Sequence, residues 1–311
     1  MSRVFCTIIT EEYLPYGRTL FQSIRKFDKE VDCVALVVDL SGSNKYEGFE
    51  VLALNQLSER NLISQIREKY QKNSDSLRWS LKSILMIHLL QLGKYDQVFF
   101  IDSDIHFYSD FSFLFDELGD RSFLLSPHWG CMNPLVDREA FFSHFSDGIF
   151  NGGFLGATNK GIETLKWWAE MCLYLCQKQP NGPFYVDQIY LHAFLVRNPD
   201  SRILSHRGCN VAVWNIEECK RIEIEGGGVL INREFPIVFI HFSHPFDLYK
   251  RDKLLLPYFE IYSNSLVDNG YSRNILQEAK AYFHRKSLKK LSYIQRIKRK
   301  FFGYEYIDNN D

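Results

Sequence analysis

The sequence predicts an α/β fold with a Rossmann-like sheet, and three observations predict it. Short apolar runs alternate with helical patterns in the first hundred or so residues, which is the order of βαβ units. A long helical repeat at 77–92 leads into an apolar run at 97–101, and two aspartates follow at once. With 311 residues, 46% of them apolar, the chain can bury one large core.

The N-terminal elements come in βαβ order. A run rich in β-branched residues predicts a buried strand at 3–10, and a helical pattern follows through Leu20 and Ile24. Further apolar runs predict strands at 31–39 and 49–54. Because parallel strands need a crossover connection, this strand-helix-strand order indicates a parallel sheet.

The clearest helix is predicted at 77–92, where leucine and isoleucine recur at helical spacing. Ser74 or Ser76 can cap its start, and Gly93 ends it. The run at 97–101 is so apolar that it predicts a central strand, covered on both faces.

The rest of the chain predicts a helix at 161–176 and strands at 228–232 and 237–242. The last forty or so residues are polar, basic and rich in aromatic side chains. We therefore expect one main domain at 1–265 and a basic, helical C-terminal tail at 266–311.

Charge and cysteine usage narrow the class of protein. The net charge of −1 provides no global field that would select nucleic acid. The N-terminus has no signal-peptide pattern, and no apolar run approaches the ~20 residues of a membrane span. The seven cysteines are scattered and form no CxxC pair. A reduced, cytoplasmic compartment is therefore expected.

Asp102 and Asp104 form a DxD pattern directly after the predicted central strand. Ligands of open α/β sheets bind outside the carboxyl ends of the strands. Two crowded carboxylates at that edge are stabilised by a cation, and a divalent metal between them could also bind a diphosphate.

Two other interpretations of this motif stay open. One is a solvated turn in which the aspartates cap the next element. The other is a phosphatase of the haloacid dehalogenase type with Asp102 as nucleophile. That family has Thr or Val where this chain has His106, and its DxD lies near the start of the domain.

Four blocks of sequence together resemble those of a known enzyme family, and they span residues 3 to about 250. They are the strand and loop at 6–13, the helix and DxD strand at 77–104, the FNGGFLG segment at 150–156 followed by Asp187-Gln188, and FIHFS at 239–243. In this order the blocks resemble the GT-A glycosyltransferases, most closely the retaining family 8 group of glycogenin-like and lipopolysaccharide galactosyltransferase-like enzymes. The resemblance implies a mixed sheet flanked by helices.

The resemblance also implies a metal centre. His241 would join Asp102 and Asp104 as third ligand through a neutral ring nitrogen. Mn²⁺ or Mg²⁺ suits the carboxylates, and the imidazole favours Mn²⁺. The alternative for His241 is a hydrogen-bonded core residue.

On the donor side, Thr10 and Tyr13 at the end of the first strand would hold the nucleoside, with Tyr13 stacking on the base. Arg78 and Lys82 lie four apart on one helical face, so either could reach the sugar or phosphate, and Arg78 is slightly favoured. Ser103, between the two aspartates, is a further candidate for substrate binding.

On the sugar side, Gly152 and Gly153 would let the backbone approach a ligand, and Asn151 offers an amide to sugar hydroxyls. A glycine-rich turn is the alternative. The resemblance implies that Asp187 binds sugar hydroxyls and that Gln188 faces the anomeric carbon. Asp187 could instead cap the following helix.

Two segments depart from the family or stay ambiguous. His244 stands where the family has glycine after HFx, and the lysine that usually meets the diphosphate has no clear counterpart, although Lys250 and Arg251 are near. The segment 206–215 resembles GCNVAYWN of a bacterial subgroup. It could form an acceptor wall or a structural turn.

The resulting hypothesis is a metal-dependent transfer of a sugar from a nucleotide-diphosphate sugar, such as a UDP-sugar, to a glycan or lipid-linked acceptor, with retention. A non-catalytic protein that binds glycans or nucleotide sugars is a third possibility beside the phosphatase. In the tail, nine Lys or Arg between 279 and 304 alternate with apolar side chains. That pattern predicts peripheral binding to an anionic membrane surface, with a solvated basic helix as alternative.

Overall fold

The computed structural model describes residues 1–41, 48–178 and 185–287. Its strands, numbered along the chain, are β1 Arg3–Ile9, β2 Asp32–Val37, β3 Glu50–Ala53, β4 Gln97–Ile101, β5 Ile105–Phe107, β6 Phe123–Pro127, β7 Phe150–Thr158, β8 Arg202–Ile203, β9 Arg221–Glu223, β10 Val229–Ile231, β11 Phe235–Pro236 and β12 Phe239–His241. Its α-helices are α1 Leu14–Arg25, α2 Arg60–Tyr70, α3 Ser74–Ser80, α4 Lys82–Gln91, α5 Phe113–Leu118, α6 Arg138–Ser146, α7 Ile162–Tyr174, α8 His192–Arg197, α9 Pro245–Arg251 and α10 Leu256–Asp268. A further helical stretch, the C-terminal helix, covers residues 275–287.

In the described part of the chain, the main sheet has seven strands in the order β3-β2-β1-β4-β7-β6-β8. The four strands β3, β2, β1 and β4 run parallel to one another. β7 runs antiparallel to both β4 and β6, and β8 pairs in parallel with β6. The sheet is therefore mixed, and the predicted α/β class is confirmed.

Both faces of the sheet are covered. Along β1, Val4 and Cys6 belong to one core cluster, whereas Phe5 and Ile9 belong to the other. α2, α4 and α7 pack on the first face, and α1 and α5 pack on the second. A central strand buried on both faces has no polar alternation, which is why apolar runs located these strands in the sequence.

The C-terminal third of the described chain builds a separate apolar cluster beside the sheet. It contains the small sheet β11-β10-β9 together with α9, α10 and the C-terminal helix. α10 runs across the expected domain boundary at residue 266, and Ile275, Leu276 and Ala279 are buried in the same cluster. The division into domain and tail stays a prediction, and residues 288–311 of the tail lie outside the described residues.

Two local predictions differ from the structure. The helix expected at 77–92 is two helices, α3 and α4, separated at Leu81. Asn73, rather than Ser74 or Ser76, caps α3, because its side chain accepts a hydrogen bond from Ser76 N at 3.0 Å. Gly93, at φ +67°, follows α4 as expected.

The FNGG motif lies within β7 and not in a turn. This strand is buried along its whole length and pairs with β4 from Gln97 to Ile101. The glycines therefore lie inside the sheet, next to the strand that carries the aspartates.

Candidate active site

The two aspartates lie in the turn between β4 and β5, at the carboxyl edge of the sheet. Asp102 N donates to Gly153 O at 2.8 Å, which ties the turn to β7. Phe242 N donates to Asp104 O at 2.9 Å, which ties it to the residue after β12. The side chains of Asp102 and Asp104 are 30% and 29% exposed, so both carboxylates face the cleft described below.

His241 joins the aspartates, although it lies far from them in the sequence. Its strand, β12, pairs antiparallel with β5, so that His241 stands opposite Ile105. His241 Nε2 lies 3.0 Å from Asp104 Oδ1 and 3.9 Å from Asp102 Oδ2. One donor atom from each of the three residues can be chosen so that all lie within 4.8 Å of one another. Two carboxylates and an imidazole at this spacing suit a divalent cation.

The backbone of β7 fits tightly against these donor atoms. A Cβ on Gly153 would come within 2.6 Å of His241 Cε1 and 2.8 Å of Asp102 Oδ2. Glycine is required at 153 because a larger residue would not fit. Backbone conformation is not the reason, since the φ of Gly153 is not in the left-handed region. A methyl group at this position would therefore displace two of the three donor side chains, His241 and Asp102.

The charges of His241 and Asp104 support each other. Burial lowers the pKa of His241, but the Asp104 carboxylate outweighs burial and raises it above its ordinary value. Burial raises the pKa of Asp104, yet the His241 ring outweighs it and holds the pKa below the ordinary value. The site therefore favours positive charge next to the carboxylates, whether a proton or a metal ion provides it.

Lys82, the first residue of α4, connects the aspartates with a third carboxylate. Its Nζ lies 3.1 Å from Asp102 Oδ1, 3.1 Å from Asp187 Oδ2 and 2.9 Å from Gly152 O. Burial lowers the pKa of Lys82, but the two carboxylates outweigh it and raise the pKa above its ordinary value. Lys82 is therefore charged and fully engaged.

A cleft of about 280 Å³ lies beside this cluster. It is lined by apolar, aromatic and charged side chains, among them Tyr13, Arg78, Lys82, Ser103 and the two aspartates of the DxD motif. The Arg78 guanidinium lies over the ring of Tyr13, 4.9 Å from its centre. Thr10 is not part of the lining, and its carbonyl accepts a bond from Tyr13 N. The break at Leu81 puts Arg78 and Lys82 on different helices, yet both reach the cleft.

Asp187 and Gln188 close the site from the side of α7. Trp168 Nε1 donates to Asp187 O at 2.9 Å, and burial raises the pKa of the Asp187 carboxyl although Lys82 opposes it. The Asp187 side chain makes no capping bond to the following helix, so the capping alternative is not observed. Gln188 donates to Asp147 O at 2.8 Å and accepts from Gly152 N at 3.3 Å. Its amide is held by a bond at each end.

Asn151 is fixed by His128, a residue that sequence reasoning missed. His128 Nδ1 lies 2.9 Å from Gly148 O, and its Nε2 lies 3.1 Å from Asn151 Nδ2. Burial lowers the pKa of His128 to about 4, so the ring is neutral and can accept from the amide. Asn151 Oδ1 accepts from Gly153 N at 2.9 Å. No sequence motif indicated His128, because this contact depends on the pairing of β6 with β7, which brings Pro127 opposite Phe150.

The segment 206–215 makes structural contacts with both sides of the site. Asn210 and Asn215 are fully buried. Trp214 Nε1 donates to His128 O at 3.0 Å. These contacts favour the structural turn over an exposed acceptor wall. After β12, Ser243 lines the cleft. The next residue, His244, packs against Trp214, with 6.3 Å between the ring centres.

Comparisons with known proteins begin with the sequence. No protein-family model matches the chain. Two proteins of Bacillus subtilis (strain 168), the uncharacterized proteins YfnF and YfnD, are each 25% identical to it over 249 residues. The match to YfnF covers 78% of this chain and 82% of YfnF, and the match to YfnD covers 77% and 76%.

The solved structures to which the chain is similar include two glycosyltransferases, LgtC and WbbM. The galactosyltransferase LgtC, solved with donor and acceptor sugar analogues, has a TM-score of 0.51 and 15% identity; the match covers 89% of this chain and 99% of that one. The bifunctional glycosyltransferase WbbM has a TM-score of 0.52 and 15% identity. The match covers 90% of this chain and 51% of the WbbM chain. The chain therefore has the GT-A fold, and it resembles LgtC in this respect. The fold expected from the resemblance is confirmed.

Proposed function

We propose that this chain is a metal-dependent glycosyltransferase that moves a sugar from a nucleotide-diphosphate sugar, such as a UDP-sugar, to a glycan or lipid-linked acceptor. The observation that carries the proposal is the convergence of Asp102, Asp104 and His241 at the carboxyl edge of a GT-A sheet, with Lys82 joining Asp102 to Asp187. LgtC, which has a similar fold, was solved with donor and acceptor sugar analogues, which supports a donor and an acceptor here.

In this proposal Asp102, Asp104 and His241 hold Mn²⁺ or Mg²⁺. A divalent cation supplies positive charge to the diphosphate of the departing nucleotide. Tyr13 and Arg78, which lie in contact on the wall of the cleft, bind the nucleoside and phosphates together with Ser103. Thr10 lies outside this lining, and its backbone carbonyl accepts a hydrogen bond from Tyr13 N.

The opposite side of the site would handle the sugar. Asp187, Asn151 and the backbone of Gly152 and Gly153 would bind its hydroxyls, and the Lys82 ammonium pairs with the buried Asp187 carboxyl. The Gln188 carbonyl would face the anomeric carbon, where its dipole can stabilise an oxocarbenium-like centre. Because its amide is held at both ends, it need not reorganise during the reaction. We propose retention on this basis and on the family resemblance.

The test is a panel of nucleotide sugars incubated with the protein and Mn²⁺, scored for release of nucleoside diphosphate. We expect release with at least one donor, loss of release in chelator, and loss in Asp104→Asn. The matched control is Asp120→Asn, which changes an aspartate whose side chain is 77% exposed. Release of inorganic phosphate with phosphorylation of Asp102 would support the phosphatase instead. Binding without turnover would support a non-catalytic protein.

We further propose that the protein binds anionic membrane surfaces through its basic C-terminal residues. In the described part, Lys280, Arg285 and Lys286 are exposed, while Phe283 stacks on Tyr249 of α9 at 5.8 Å. No helix in residues 1–41, 48–178 or 185–287 is long and apolar enough to cross a membrane.

All seven cysteines are free and buried. The cytoplasmic location stays a prediction.

A further inference from the structure

We infer that Asn210 is a positioning residue that orients His241 towards the metal, an inference that rests on the metal centre of the proposed function. Asn210 Oδ1 lies 3.3 Å from His241 Nδ1. The other ring nitrogen, Nε2, lies 3.0 Å from Asp104 Oδ1. One nitrogen of the ring thus faces the carboxylates, and the other faces a neutral amide.

The neighbours of the amide decide which way it points. Asn210 Nδ2 donates to Pro127 O at 3.3 Å, and a carbonyl can only accept. The Asn210 oxygen therefore faces the ring, so His241 Nδ1 must carry the proton of that bond. A neutral ring protonated on Nδ1 has its lone pair on Nε2, which is the form that binds a metal. Asn210 selects this form and the ring orientation together.

Asn210 is itself rigidly held. It is fully buried, and its φ of +56° lies in the left-handed region, which asparagine tolerates better than most residues. The backbone carbonyl of Asn210 accepts a hydrogen bond from Asn215 Nδ2 at 2.8 Å. Arg221 donates to Asn215 Oδ1 at 3.2 Å and pairs with Asp252 at 2.7 Å. A chain of buried bonds thus runs from this ion pair, through Asn210, to His241.

The backbone adds a second tie between the two segments. His241 N donates to Val211 O at 2.9 Å, and Val211 N donates to Phe239 O at 3.1 Å. The residue after Asn210 is therefore bonded to β12 on both sides of Ile240, so the amide cannot shift along the strand. The side chain of Asn210 and the backbone of Val211, which belong to one segment, together fix the position of His241.

The test is Mn²⁺ affinity, measured by electron paramagnetic resonance of free Mn²⁺ in the presence of saturating UDP. Asn210→Gly keeps the left-handed backbone and removes the amide, and we expect Mn²⁺ to bind about 10 to 100-fold more weakly. Asn210→Asp restores an acceptor for Nδ1, so its affinity should lie closer to wild type than to Asn210→Gly. Asn232→Gly is the matched control, because Asn232 also has positive φ and two side-chain bonds, but is exposed.

The outcomes separate this inference from the proposed function. Wild-type Mn²⁺ affinity in Asn210→Gly would overturn the inference and leave the metal centre standing. An equal loss in Asn232→Gly, or no recovery in Asn210→Asp, would also overturn it, because either result indicates a general loss of structure. No Mn²⁺ binding by the wild-type protein would overturn the metal centre and the inference together.

Discussion

Lys82 and Asp187 form a buried ion pair, with Lys82 Nζ 3.1 Å from Asp187 Oδ2 and side chains 4% and 2% exposed. The same ammonium lies 3.1 Å from Asp102, so one cation serves two carboxylates from different parts of the sequence. Lys82 therefore stabilises the fold by neutralising buried negative charge, and it also joins Asp102 to Asp187 within the proposed active site.

We first predict that Lys82→Met lowers the free energy of unfolding by ~3–5 kcal/mol, because Asp187 is left buried without a partner cation. Adding Asp187→Leu should recover much of that loss while turnover stays low. Urea denaturation measures both. Lys160→Met breaks an exposed ion pair with Asp120 and should cost about 1 kcal/mol or less. A Lys82→Met protein no less stable than Lys160→Met would contradict this reasoning.

Asp104→Ala should abolish turnover and Mn²⁺-dependent nucleotide binding while the protein stays folded, because the variant removes one donor atom from a surface turn. Calorimetry with UDP, with and without Mn²⁺, measures binding, and circular dichroism checks the fold. Asp120→Ala is the control and should behave as wild type. Full activity in excess chelator would show that no metal is needed.

The two glycines of β7 predict different defects. A Cβ on Gly153 would crowd His241 and Asp102, whereas a Cβ on Gly152 would lie 3.0 Å from Asp187 Oδ2 and 3.1 Å from Gln188 Cβ. Gly153→Ala should therefore weaken Mn²⁺ binding and turnover together. Gly152→Ala should reduce turnover with Mn²⁺ affinity unchanged. If both variants bind Mn²⁺ equally well, the assignment of Gly153 to the metal side and Gly152 to the sugar side is wrong.

Gln188→Ala should lower kcat by about 100-fold and leave the donor KM nearly unchanged, as expected for a group that acts mainly in the transition state. Asp187→Ala should change both kcat and KM, because it removes ground-state contacts with the sugar. Steady-state kinetics with the active donor gives both constants. A Gln188→Ala protein altered in KM alone would rule out the proposed role.

The membrane proposal predicts that the full chain sediments with anionic liposomes at low salt and is released at high salt. A chain ending at Ser287 loses the six basic residues Lys289, Lys290, Arg296, Lys298, Arg299 and Lys300. It keeps Phe283 against α9, so it should stay folded and remain in the supernatant. Equal sedimentation of both chains would exclude these residues as the anchor.

The sequence predicted the parallel half of the sheet well, because strands buried on both faces are continuous apolar runs. It also located Asp102 and Asp104, since ligands gather at strand ends. The antiparallel strand β7 was less visible. Its glycines resembled a turn, and their close contacts with His241 and Asp187 depend on strand pairing that no local pattern reports.

Other parts of the candidate site depend on long-range contacts. The sequence favoured Arg78 over Lys82 only slightly, and it did not predict the break at Leu81 that separates their helices, because that break has no proline or glycine signal. His128 and Asn210 lie 23 and 31 positions from the partners they orient. Nothing in their own segments marks them, because their role depends on contacts with strands β7 and β12, which are distant in the sequence.

The pairing of β12 with β5 has a consequence for folding. Asp104 is synthesised before β6, β7, α7 and α8, whereas His241 is synthesised after all of them. Closing such a distant contact is entropically costly and comes late in folding. A nascent chain that has not reached Phe239 carries both aspartates but lacks the third donor. The site should therefore mature only near the end of synthesis, after the main sheet is complete.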